Sequence, residues 1–153
     1  MLNELLTIFI TSLLPVAELR GAIPVGLAVF KLSPVLVYSV AVAGNILPVF
    51  FLLLIWQSGV EKLAAKYAPL GKLLHWLFER TRKKFYANHK RFGHWALVLF
   101  VAIPLPVTGA WTGSVAAWLF GIPYWRAVGL ILLGVLISGL IVTGLTLGIV
   151  SIT

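Results

Sequence analysis

The sequence predicts an all-α integral membrane protein of two repeats. Each is a broken, re-entrant helical hairpin followed by a transmembrane helix; the repeats are inverted and joined by a basic amphipathic connector. Three observations predict it. The 153 residues are 61% hydrophobic and 10% charged, with a mean hydropathy of +1.06, far more apolar than a soluble domain. Two stretches rich in proline and glycine, Pro15 to Pro24 and Ile103 to Gly109, interrupt otherwise uncharged apolar runs. Nine of the twelve basic residues lie between Lys62 and Arg91, as the positive-inside rule expects of a cytoplasmic loop. One membrane domain, 1–153, therefore divides into a first repeat (1–57), a connector (58–92) and a second repeat (93–153).

Leu2 to Leu14 is apolar but too short to cross a hydrocarbon core of ~30 Å, which takes about 20 helical residues. Gly21 to Phe30 is shorter still. Two short arms around a break suit a hairpin that enters and leaves on one side. Lys31-Leu-Ser-Pro34 reads as an interfacial turn in which Ser33-Pro34 opens a new helix. From Val35 to Trp56 no charge occurs, enough to span with some tilt. Gly44, Asn45 and Pro48 near its middle predict a kink or close helix contact, with the Asn45 amide bonding a neighbour.

Gln57 to Phe92 alternates apolar and basic residues at helical spacing, which fits a connector on the cytoplasmic surface. His75, His89 and His94 fall there or at its end and form no i, i+4 metal pair. Trp95 to Pro123 is again uncharged and is interrupted by Pro104, Pro106 and Gly109. Gly109, Gly113, Ala117 and Gly121 then recur every four residues, a smooth stripe for helix packing. Thr108 is placed to cap the new helix through its hydroxyl, and Thr112 and Ser114 add polar groups. Ile122-Pro-Tyr-Trp-Arg126 has the aromatics and snorkelling arginine of an interface. Ala127 to Thr153 is the last uncharged span.

Glu18 and Arg20 dominate the search for a site. A charge at bilayer depth costs ~3 kcal/mol on insertion scales, so such residues are rarely incidental. Two residues apart, they point to different sides of a helix but share a face in extended chain, so a direct pair implies broken helix. Pro15, Gly21 and Pro24 agree with a break. Burial favours the neutral acid and an adjacent cation favours the carboxylate, an opposition suited to a proton-exchanging group.

Setting Pro34 against Pro123 places Pro15 opposite Pro104, with the hydrophobic blocks in register on either side. This internal repeat admits two topologies. Re-entrant hairpins make the halves inverted, with both termini outside; fully crossing segments make them parallel, with both termini inside. The short arms, and an Arg126 then facing the cytoplasm, favour inversion.

The residues Pro15-Val-Ala-Glu18-Leu-Arg20-Gly21-Ala-Ile-Pro24-Val-Gly26 and Pro104-Leu-Pro106-Val-Thr108-Gly109-Ala-Trp-Thr112-Gly113 resemble the small multidrug export protein family over nearly the whole chain. That family is in turn similar to the DedA superfamily, which has an acidic residue in the first re-entrant loop and an arginine in the second. Glu18 matches the first position; no arginine occurs between Trp95 and Trp125.

The expectation is a secondary, proton-coupled transporter of a small molecule or lipid, multi-pass in the cell membrane. Glu18, Arg20, Asn45, Thr108 and Thr112 would form the central site, and Pro15, Gly21, Pro24, Pro104, Pro106, Gly109 and Gly113 its hinges. The alternative is a membrane scaffold in which Glu18 and Arg20 are a fixed ion pair. Glycine stripes point to a homodimer. The basic charge follows the spanning segments, which argues against nucleic acid. With no Cys or Asp and every histidine in or beside the basic region, neither an enzyme, a metal site nor a cofactor is expected.

Overall fold

The computed structural model describes residues 1–57, 72, 76, 79–81, 94–105 and 108–152. The regular secondary structure of these residues is all helical, without strands. Most of the connector, with His75 and His89, and also Pro106, lies outside the described residues. Within the connector the Arg80 guanidinium sits 5.1 Å over the Trp76 ring.

Helix α1 is Leu2–Leu13. It stops because Pro15 forces the residue before it out of helical geometry, and Leu14 is extended at φ −74°, ψ 136°. Helix α2, Glu18–Pro24, follows after four residues and runs on into a π-helical turn, Val25–Val29. The break is thus shorter than expected, since Gly21 and Pro24 are helical. The proline is tolerated because the helix widens directly after it, a common relief where the hydrogen-bond ladder is interrupted. Lys31, at φ 53°, turns the chain into α3, Pro34–Gln57.

The second half repeats this order. Helix α4, Trp95–Ala102, ends on Ile103, extended at ψ 115° before Pro104. Helix α5 is Ala110–Leu119. Gly121 makes the following turn at φ 64°, so the expected glycine stripe is helical only at Gly113 and Ala117. Helix α6, Tyr124–Val150, opens one turn earlier than expected, with Pro123 at its N-terminal boundary.

At 1.5 Å per residue, α3 and α6 measure about 36 and 40 Å, and α1, α4 and α5 only about 12 to 18 Å. Both long helices are long and apolar enough to cross a membrane. Only 33% and 39% of their most apolar stretches are buried, which separates them from the core helices of a soluble domain. Their outward residues, such as Phe51, Leu54, Leu140 and Leu145, are large and apolar, a surface fit for lipid.

The two long helices run antiparallel. Tyr124 Oη donates to Phe50 O (3.2 Å) near one end of the pair, and Tyr38 Oη to Leu136 O (3.0 Å) towards the other. Each helix–break–helix unit reaches roughly midway along its long partner. Gly44, in the middle of α3, faces Ser12 Oγ and the Phe9 carbonyl at the inner end of α1, and Gly134 of α6 faces Val101 and the Val98 carbonyl of α4. Aligning Pro15 with Pro104 sets Phe9 and Ser12 opposite Val98 and Val101, so the two halves make the same glycine contact.

A methyl on Gly44 would lie 2.7 Å from the Phe9 carbonyl, which cannot yield without moving backbone. Gly44→Ala is expected to cost ~1–3 kcal/mol through overpacking, read as a lowered thermal midpoint in detergent. Gly144→Ala is the control, because nothing lies within 4 Å of its added carbon.

Candidate functional site at the meeting of the two breaks

The two breaks face each other. Glu18 opens α2 in the left-handed region at φ 47°, a conformation unusual for a residue with a side chain. The residue is 4% exposed, and its carboxylate reaches out of its own half. Oε1 accepts from the Trp111 amide of α5 at 3.4 Å, and the Ala110 amide also faces it. These are unsatisfied donors of a helix N-terminus, which carries partial positive charge. The α5 boundary residue, Gly109, lies so close that any β-carbon there would collide with Glu18 Oε2, and its φ of +136° suits glycine alone.

Arg20 lies next to Glu18 at 3.3 Å, Nη2 to Oε2. Its guanidinium also donates to the carbonyls of Leu105 and Thr108 in the second break. A planar fork with several donors can serve three acceptors at once in a way an ammonium cannot. The first half therefore supplies both charges and the second half answers with main-chain atoms.

The second break is braced internally. Thr108 Oγ1 bonds with Ile103 O at 2.8 Å and Leu105 O at 2.7 Å, and accepts from the Leu105 amide at 3.2 Å. This differs from the expected cap on α5, which has no side-chain cap; a carbonyl-rich loop next to the hydroxyl outcompetes the helix amides. Thr112 Oγ1, in the first turn of α5, donates to O of the boundary residue Gly109 at 3.4 Å. Gly113 packs against Val101, binding α5 to α4. Pro15 and Pro104 sit in the breaks as expected.

Asn45 is 1% exposed, beside Gly44 and so at the depth of the first break. Its Oδ1 accepts no hydrogen bond from the described residues. Such an orphan costs ~1–3 kcal/mol unless a further partner satisfies it.

Sequence reasoning overlooked two tryptophans. Trp111 Nε1 donates to Leu13 O at 3.1 Å, closing one break onto the other. Trp56 Nε1 donates to Ser114 Oγ at 3.2 Å, and Ser114 Oγ to Trp111 O at 2.6 Å, which fastens α5 to α3. Beside Trp111 an apolar groove of about 370 Å³ runs along α3, lined among others by Leu13, Leu47, Phe51, Leu52 and Ile55. An aromatic in an apolar helix gives no sequence signal of its own that it will bridge two breaks.

The family described as "Putative small multi-drug export protein" matches residues 18–141. The chain belongs to that family. The match begins on Glu18 itself and takes in Arg20, the second break and all of α5. No match to a curated protein or to a solved structure accompanies it.

Proposed function

We propose that this protein is a proton-coupled secondary transporter of DedA-like architecture, with Glu18 and Arg20 at a central site between two re-entrant hairpins. The observation that carries the reading is the contact between the breaks. A membrane-depth carboxylate and guanidinium from one half are held by the main chain of the other, so neutralising the carboxylate loosens one half from its partner. Movement of one half against the other then exposes the site alternately to each side.

The inverted arrangement is supported by the antiparallel α3 and α6, since fully crossing halves would set those helices parallel. It is also supported by the correspondence of the Gly44 and Gly134 contacts. In this topology the basic connector, 58–92, is cytoplasmic, and Lys31 and both ends of the chain face outward. Non-helical backbone at membrane depth requires protein or a wet cavity around it, and here each break shields the other. Asn45 lines the path as an acceptor for substrate or water. The protein sits in the cell membrane among lipids, and homodimerisation through exposed glycines of α6 completes the assembly.

The test is proton-driven flux in sealed vesicles. Glu18→Gln is expected to fold and to lose proton-coupled transport at least tenfold; unchanged coupling removes the assignment. A second reading, a fixed clasp in a membrane scaffold, is favoured by the pair's full complement of partners. Replacing Glu18 and Arg20 together by leucine separates the two, because a clasp is replaceable by apolar packing. A folded double variant that keeps transport supports the clasp, and a folded but inert one supports the transporter.

A further inference from the structure

The apolar groove and the charged centre share a wall. Leu13 and Trp111 line the groove, and the same two residues join the breaks through the Trp111 indole N–H on Leu13 O. The Trp111 amide, at the other end of that residue, faces the Glu18 carboxylate. The groove opens sideways, since Leu47, Phe51 and Ile55 are 41%, 60% and 49% exposed on a helix long enough to span a membrane. Its volume, about 370 Å³, falls within the range of small-molecule sites.

Resting on the transporter reading above, we infer that the groove and the Arg20–α5 corner form one binding site for an organic carboxylate with an apolar body. It enters from the membrane past Trp111. The apolar body lies along α3, and its carboxylate takes the place of Glu18 on the α5 amides and Arg20. Charge complementarity selects the class. Once Glu18 has left the corner, what a headgroup meets beyond Trp111 is a guanidinium and the positive end of a ten-residue helix, an arrangement that repels a cation and leaves a neutral alcohol without compensation for its desolvation. A carboxylate already occupies this corner, so the corner fits that group in size and in its hydrogen-bond acceptors. Glu18 is also the looser partner: its carboxylate lies 3.3 Å from Arg20 Nη2 and 3.4 Å from the Trp111 amide, both long, and its backbone is held at φ 47°. Arg20 is fixed besides by two carbonyls. If Glu18 takes up a proton from the aqueous side as it leaves, exchange of one carboxylate for another keeps the charge of the site unchanged, and its release frees the Glu18 backbone to return to an ordinary conformation.

The probe is an undecanoic acid bearing a terminal diazirine, photolysed with the full-length protein in nanodiscs, with labelled peptides mapped by mass spectrometry. Labelling is expected on Leu47 to Ile55 and on Trp111. Lauric acid should compete at least tenfold better than dodecanol or dodecyltrimethylammonium. Leu47→Trp fills the groove away from the charged centre and should reduce labelling at least tenfold, whereas Leu140→Trp on the lipid-facing side of α6 should not. Glu18→Gln removes the competing internal charge and should strengthen laurate competition several-fold. Even labelling of α3 and α6 without competition, preferred competition by the ammonium, or loss of capture in Glu18→Gln each overturns the inference. Any of these with Glu18-dependent proton flux intact overturns the substrate class and leaves the transporter reading in place; loss of that dependence alone strikes the transporter reading.

Discussion

Gly109→Ala is expected to abolish the closed arrangement of the two breaks, with folded protein recovered from detergent falling at least tenfold. Two independent penalties act at this residue. Its φ of +136° and ψ of −166° belong to a region that is essentially glycine-only, and holding a side chain there costs ~1–3 kcal/mol. The new methyl would also overlap the Glu18 carboxylate, which cannot retreat without leaving the α5 amides. Glu18→Ala in the same chain removes the overlap but not the backbone strain. The double variant is therefore expected to regain part of the folded yield without regaining proton coupling. Size-exclusion profiles before and after heating read the folded yield and flux in sealed vesicles reads the coupling, and a Gly109→Ala protein as stable as wild type would contradict the contact itself.

Arg20→Ala should be the most destabilising single change at a charged residue. It strands a buried carboxylate beside a helix end and withdraws donors from Leu105 O and Thr108 O. Breaking a buried pair by removing one partner costs ~3–5 kcal/mol, mostly through the charge left behind. Adding Glu18→Gln removes that charge, so the double variant should recover ~0.5–3 kcal/mol of the loss, the usual range for residues in contact. Arg20→Lys restores charge without the planar fork and should fall between wild type and alanine. Thermal midpoints of the four proteins form a complete cycle. Strict additivity would show that the two side chains do not interact.

Much of this architecture was legible because it is written in prolines and in the absence of charge. The X-Pro steps at Leu14-Pro15 and Ile103-Pro104 end α1 and α4 by steric exclusion, a local effect that needs no tertiary context. The uncharged run from Val35 to Trp56 set the length of α3. The pairing of Glu18 with Arg20 followed from spacing, since a break next to them was already implied. Less legible was the way Pro24 is absorbed: a π turn accommodates it, and that depends on packing of Gly26 against Val37 and Ile8, contacts between residues far apart in sequence. The role of Thr108 was misjudged for a similar reason. A hydroxyl before a helix ordinarily caps it, but the carbonyls of a tight loop lie nearer. Trp111 and the orphaned Asn45 oxygen depend on which element comes to rest opposite, and composition carries no trace of that.

Because Glu18 and Arg20 read peptide groups rather than side chains across the divide, the far partner is recognised by its shape. Substitutions at the outward side chain of Leu105, which is 54% exposed, leave the atoms that hold the charges where they are. Only changes that bend the peptide path, at Pro104 or Gly109, alter what the pair detects. The contact thus constrains the course of the second half's backbone more than the identity of its side chains.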